Sequence, residues 1–143
     1  MKKEAIAFPE LKETFLCKQD ARGKLCVAQE DQFGKSFHIK RVFWICDVPA
    51  GAVRGEHANR QCTELLVAVK GSVEIWLTDG KDSYTFLLNR CDAGIYIPPM
   101  VWCRLKNFSE DCVCLCMADA DYDETHYINQ YEQFLKETQD AAH

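Results

Sequence analysis

The chain lacks any long apolar run. No window of its 143 residues approaches the roughly 20 apolar residues that a membrane-spanning helix needs. The opening MKKEAIAFPELKE carries positive charge without the apolar stretch of a signal peptide. Basic tracts are missing too, none exceeding two residues. With 17 Lys and Arg against 22 Asp and Glu, a net charge of −5, there is no basic footprint for nucleic acid or for a membrane surface. A local arginine cluster that holds a phosphorylated small molecule is not excluded. Glycine and proline are sparse, at 7 and 4. No linker, repeat or low-complexity segment divides the chain, so one domain is expected over residues 1–143.

Cysteine, by contrast, is abundant. The nine cysteines are odd in number and sit mostly inside apolar runs, which predicts reduced thiols in a cytoplasmic protein. Cys112, Cys114 and Cys116 look at first like a metal cluster. On a strand, however, alternate residues lie ~6.6 Å apart, which separates Cys112 from Cys116 by ~13 Å. Two thiolates on one zinc stand no more than ~4.6 Å apart. An apolar strand face of small residues is the better reading.

Short apolar runs rich in Val, Ile, Phe, Trp and Tyr fill the chain to about residue 118. They predict strands over residues 24–28, 37–48, 63–69, 72–77, 83–88, 94–97, 101–105 and 111–117, punctuated by glycine and proline turns. Many short strands at this spacing mean an all-β sandwich or barrel. The tail changes period. Tyr127, Ile128, Tyr131, Phe134 and Leu135 fall on one face of a helix, predicted over about 124–138, with Asp121 or Asp123 as its cap. That face is expected to pack on the barrel or on a partner subunit.

Residues 51–71 read GAVRGEHANRQCTELLVAVKG: a glycine, then His57, Asn59, Glu64 and a closing Gly71. His57 and Asn59, two apart on an extended chain, point to one face, and Glu64 can face the same cavity. A later segment, GIYIPPMVWCRLKN over 94–107, places Trp102 and Cys103 beyond a Pro-Pro turn. The two segments are similar to the paired signatures of the cupin barrels, with changed ligands. Metal-binding cupins carry histidines where Asn59 and Cys103 stand. Asparagine is a weak ligand and cysteine favours soft metals, so no catalytic metal is expected.

Further runs make the resemblance more specific. RVFWICDVP (41–49), RGEHAN (54–59), GSVE (71–74), IYIPPMVW (95–102) and YDETHYINQYEQF (122–134), in that order, resemble the WxcM-like sugar 3,4-ketoisomerases from about residue 11 to 134. The resemblance implies a single-domain cupin jelly roll, usually a homodimer, that needs no metal and no cofactor. Such enzymes move the carbonyl of a dTDP-4-keto-6-deoxyhexose from C4 to C3 on the way to the deoxysugars of bacterial surface glycans. By the same resemblance His57 would be the base, and Arg41 and Arg54 would lie toward the pyrophosphate or the developing oxyanion. Many members have a second histidine at Asn59 and several a tyrosine near Phe43. Glu64, where some have glutamine, is expected to take part of the proton traffic. Two other readings stay open: a non-catalytic nucleotide-sugar-binding cupin, and a 3,5-epimerase-type enzyme on the same substrate class.

The chemistry agrees with the residues. A proton α to a ketone is weakly acidic, and its removal needs a base near neutral pKa, which histidine supplies. The enediolate needs donors at its oxygen, and arginine is suited to that. Trp102 and Tyr96 are candidate pocket residues, whereas Trp76 is expected to pack. Cys62 and Cys103 lie nearest the candidate pocket, with no sign of an activated thiol. His38, His126 and His143 read as structural or solvated.

Overall fold

The structure, a computed structural model, describes residues 6–30 and 37–141; His143 lies outside them. Two five-stranded antiparallel sheets form the body. The first holds β1 (Lys12–Thr14), β9 (Ala93–Ile97), β6 (Glu64–Lys70), β11 (Val113–Ala118) and β4 (Arg41–Cys46), in that order. The second holds β12 (Tyr127–Ile128), β5 (Arg54–Asn59), β10 (Trp102–Lys106), β7 (Val73–Thr78) and β8 (Ser83–Leu88). Apart from the β7–β8 hairpin, neighbours in each sheet are distant in sequence, so the chain crosses repeatedly between sheets, as the expected jelly roll requires. A helix, α1 (Tyr131–Ala141), closes the described chain.

The main core lies between the sheets. Val73, Ile75 and Leu77 of β7 alternate inward and meet Leu66, Ile95, Cys114 and Cys116 from the first sheet. Alternation does this directly, since successive strand residues point to opposite faces. The Cys112, Cys114 and Cys116 thiols are packed in this core, as the spacing argument predicted. Phe15, Phe37, Leu65, Val67 and Met117 form a second cluster. Ala58, Trp102, Ile128 and Phe134 form a third, where α1 backs the second sheet.

Three expectations need correction. The tail is not one helix over 124–138. Glu124–His126 is a single 3-10 turn, capped by Asp123 through Thr125 N, and Tyr127–Ile128 is a short strand paired to β5. Ile128 and Phe134 still converge in one cluster, because Ile128 pairs with Ala58 and so shares the sheet face that α1 covers. Secondly, the predicted 37–48 strand contracts to β4, and His38 lies before it with Nδ1 3.3 Å from Glu30 Oε2. Thirdly, the cysteines are not all free. β2 (Leu16–Asp20) and β3 (Gly23–Val27) form a separate hairpin, and Cys17 and Cys26, directly opposed on it with Cα atoms 4.2 Å apart, are joined by a disulfide. A separation of nine residues hides this pairing until the Ala21-Arg22 turn is known.

Candidate active site

Residues directly paired across strands share a face, so register alone assigns the interior side chains. In the first sheet Arg41, Ala118, Glu64 and Ile97 form one lateral row, and Phe43, Cys116, Leu66 and Ile95 the next. In the second sheet His57, Cys103 and Leu77 form a row. A cavity of about 430 Å³ opens between the rows, lined by Phe43, Arg54, His57, Glu64 and Cys103, with Trp44 at its rim. Trp44 is 64% exposed, so the rim is wet while the floor of Leu66, Ile97 and Cys116 is dry.

A backbone irregularity sets the position of His57. Gly55 and Glu56 both have positive φ, +83° and +62°, and the β5–β10 register shifts beside them. This is a bulge, the device that re-aims a side chain in a sheet. Gly55 is required sterically as well. A Cβ there would stand 3.0 Å from the Cys103 carbonyl oxygen and 3.3 Å from Cys103 Sγ. Across the bulge, Arg104 Nε holds Glu56 Oε1 at 2.9 Å and its guanidinium lies over Trp76 at 5.2 Å.

Burial pushes the His57 imidazole below its ordinary pKa of 6.5. The hydrogen bond to the Gly55 backbone opposes this, and the Arg41 charge adds to it. A ring that donates one N–H to a backbone carbonyl keeps its second nitrogen as an acceptor when neutral. That is the state a base needs at neutral pH. Glu64 is 7% exposed. Burial raises its carboxyl above the usual range, the Arg41 charge works against that, and Asp119 adds to it. Burial likewise raises the Cys103 thiol, and it lifts Cys62 to about 11. Neither is a thiolate nucleophile.

Arg41 reaches out of its row. Its Nη2 donates to Tyr127 Oη at 3.2 Å, its guanidinium stacks over Phe43 at 5.2 Å and Tyr122 at 5.5 Å, and its Nε is buried without a partner. Tyr127 pairs with Asn59 in the β12–β5 ladder and is therefore a diagonal neighbour of His57. The two rings meet edge to face with centroids 4.9 Å apart. His57, Tyr122, Glu124, Tyr127 and Asn129 line an adjoining cavity of about 530 Å³. The sequence period puts Tyr127 on a helix face, whereas it stands in β12. Its signal was the YI pair within the matched run, too short to show a strand period.

Other candidates fall elsewhere. Asn59 lies on the His57 face of β5, yet its Oδ1 accepts from the backbone N–H groups of Gln61 at 3.0 Å and Cys62 at 2.8 Å. Its side chain closes the turn into β6. Tyr96 points away from the cavity and packs edge-on to Phe37 at 5.9 Å. Trp102 is buried behind the second sheet, 5.7 Å from the Phe134 ring, with Nε1 unpartnered. Among the described residues, no three His, Cys, Asp or Glu side chains form a group able to hold a metal ion.

Comparison with known proteins agrees with this layout. The family model described as FdtA, WxcM-like, C-terminal matches residues 3–139. A TDP-4-oxo-6-deoxy-α-D-glucose 3,4-oxoisomerase of Aneurinibacillus thermoaerophilus is 40% identical over 117 residues, 82% of this chain and 84% of that protein. A 3,4-ketoisomerase from Helicobacter canadensis superposes with TM-score 0.85 at 33% identity, covering 90% of this chain and 96% of the other. A histidine-to-asparagine variant of the 3,4-ketoisomerase QdtA from Thermoanaerobacterium thermosaccharolyticum, in complex with TDP-4-keto-6-deoxyglucose, superposes with TM-score 0.86 at 32% identity over 90% and 93%. The jelly roll, the RGEHAN strand at its mouth and these matches over nearly the full length lead to one assignment: the chain belongs to the WxcM-like family, which it shares with sugar 3,4-ketoisomerases.

Proposed function

We propose that this protein moves the keto group of a dTDP-4-keto-6-deoxyhexose from C4 to C3, through an enediol and with His57 as the base. The observation that carries the reading is a neutral-leaning histidine, fixed by a bulge, facing Glu64 and beside Arg41 in a cavity dry at its floor. His57 takes the proton from C3 and the electrons form the C3=C4 double bond. The same imidazole then returns the proton to C4 on the same face of the sugar, so one base suffices. Arg41, with a buried unpartnered donor, is suited to the developing oxyanion. Arg54, at the exposed mouth, is suited to the pyrophosphate. The protein would act without a metal in the cytoplasm, in the supply of deoxysugars for bacterial surface glycans. A homodimer is supported by Leu16, Leu25, Val42 and Val53, apolar side chains left exposed on the hairpin, on β4 and near the cavity mouth.

Proton NMR of dTDP-4-keto-6-deoxyglucose with the protein in deuterated water tests this. The expected result is a 3-keto sugar. Exchange at C3 and C5 without carbonyl migration would replace the reading with an epimerase. An epimerase would call for a histidine oriented by a carboxylate, whereas His57 is held by the Gly55 backbone. A binding-only cupin is the second reading, and the use of Asn59 in a turn favours it, since that side chain offers no proton chemistry at the sugar. Binding of the keto sugar with no change in its spectrum would support it.

A further inference from the structure

Moving a carbonyl between neighbouring carbons shifts two protons, not one. The carbon-bound proton travels from C3 to C4. In addition the C3 hydroxyl must lose its proton and the C4 oxygen must gain one. Histidine accounts for the first transfer and leaves the second unassigned. Among the described residues, the cavity holding Phe43, Arg54, Glu64 and Cys103 is lined by no hydroxyl side chain. Of the described residues that line the two cavities His57 shares, Tyr122 and Tyr127 alone carry one. Tyr122 is exposed and its hydroxyl donates to Glu124 Oε1 at 3.1 Å. Tyr127 differs. Its Oη accepts from Arg41 Nη2, its ring edge abuts His57, and its own proton has no acceptor among the described residues. Arginine cannot accept a hydrogen bond, so the phenol proton points away from Arg41 and is free for a group that enters the cavity His57 and Tyr127 share.

We infer that Tyr127, held by Arg41, carries the oxygen-bound proton between the two sugar oxygens; this rests on the isomerase reading above. The sequence balances. His57 removes the C3 proton, the C3=C4 bond forms, and the Tyr127 O–H gives its proton to the C4 oxygen. The phenolate, beside the Arg41 guanidinium, then takes the proton from the C3 hydroxyl. The C3 carbonyl forms as C4 takes the proton back from His57, and both side chains return to their starting states. Tyr127 thus fills the place that Phe43, with no hydroxyl, and Asn59, committed to its turn, leave open.

The test is a partition ratio. In deuterated water, deuterium entering C3 of the recovered 4-keto sugar reports enolisation, and 3-keto product reports completed transfer. In Tyr127→Phe, which keeps the ring against His57, isomerisation should fall about 100-fold or more, the usual loss on removing an acid or base. Exchange should fall less, so the exchange-to-product ratio rises at least tenfold, with the KM little changed. Glu64→Gln should lower both rates and leave the ratio alone. A Tyr127→Phe ratio equal to that of the wild type, or a raised ratio in Glu64→Gln instead, overturns the assignment. Wild-type protein that binds the sugar but yields neither exchange nor product would instead overturn the isomerase reading and this inference with it.

Discussion

The base and its neighbours titrate in opposite senses, and each sense has a measurable consequence. His57 acts when neutral, and burial has moved its pKa below 6.5. The acid limb of kcat/KM should therefore have its midpoint below pH 6.5 and be flat from pH 7 to 8. A midpoint above 7 would mean a different base. Glu64 is raised instead, so the folded protein holds a proton that the unfolded chain releases near the ordinary glutamate pKa of 4.5. Stability then falls as pH rises through that range. Glu64→Gln should flatten the dependence in urea melts between pH 4.5 and 7 while losing most turnover. Asn59 poses the complementary case. Its two accepted backbone hydrogen bonds predict that Asn59→Ala loses about 1 to 2 kcal/mol of stability, whereas Asn59→Asp, which can accept the same bonds, stays folded. Equal melting curves for all three would remove the turn role.

At the scale of elements, β5 governs the site and was the least readable strand. RGEHAN is charged, contains glycine and interrupts the β period with a bulge, so nothing but the family motif marks it. By contrast residues 83–88, reading SYTFLL, alternate cleanly, and that prediction coincides with β8. Lys12–Thr14 and Leu16–Asp20 are short and polar, so no apolar alternation marks them. The gathering of His57, Glu64 and Cys103 around one cavity is legible from motif spacing, and the family resemblance adds Phe43 and Arg54. The fates of Tyr96 and Trp102 were not, because alternation gives two faces and does not say which one a second cluster or a helix will cover. The bulge carries its own prediction. Gly55→Ala faces both positive φ and a 3.0 Å contact with the Cys103 carbonyl. It should cost about 1 to 2 kcal/mol and cut turnover at least tenfold by misplacing His57, with the circular dichroism spectrum unchanged. Normal turnover would show that the bulge does not orient the base.

Across the whole molecule, the C-terminal segment is fastened to the strand that bears the base. Arg60, next to Asn59, meets Glu137 of α1 through two bonds of 2.8 Å and holds the Thr125 carbonyl at 2.9 Å. Phe134 and Ile128 cover Ala58 and Trp102 from the side opposite His57. This segment contributes few contacts compared with the interleaved sheets, and such peripheral units open at lower free energy than the core. Arg60→Gln should therefore move the temperature of half activity down by more than it moves the melting temperature of the barrel. Parallel shifts of the two would place the strap inside the cooperative unit. If the strap does open first, warming the enzyme separates two events that usually coincide. Catalysis would fade while the sheets persist, and it would return on cooling without refolding, so that heat inactivation stays reversible up to the temperature at which the barrel itself gives way.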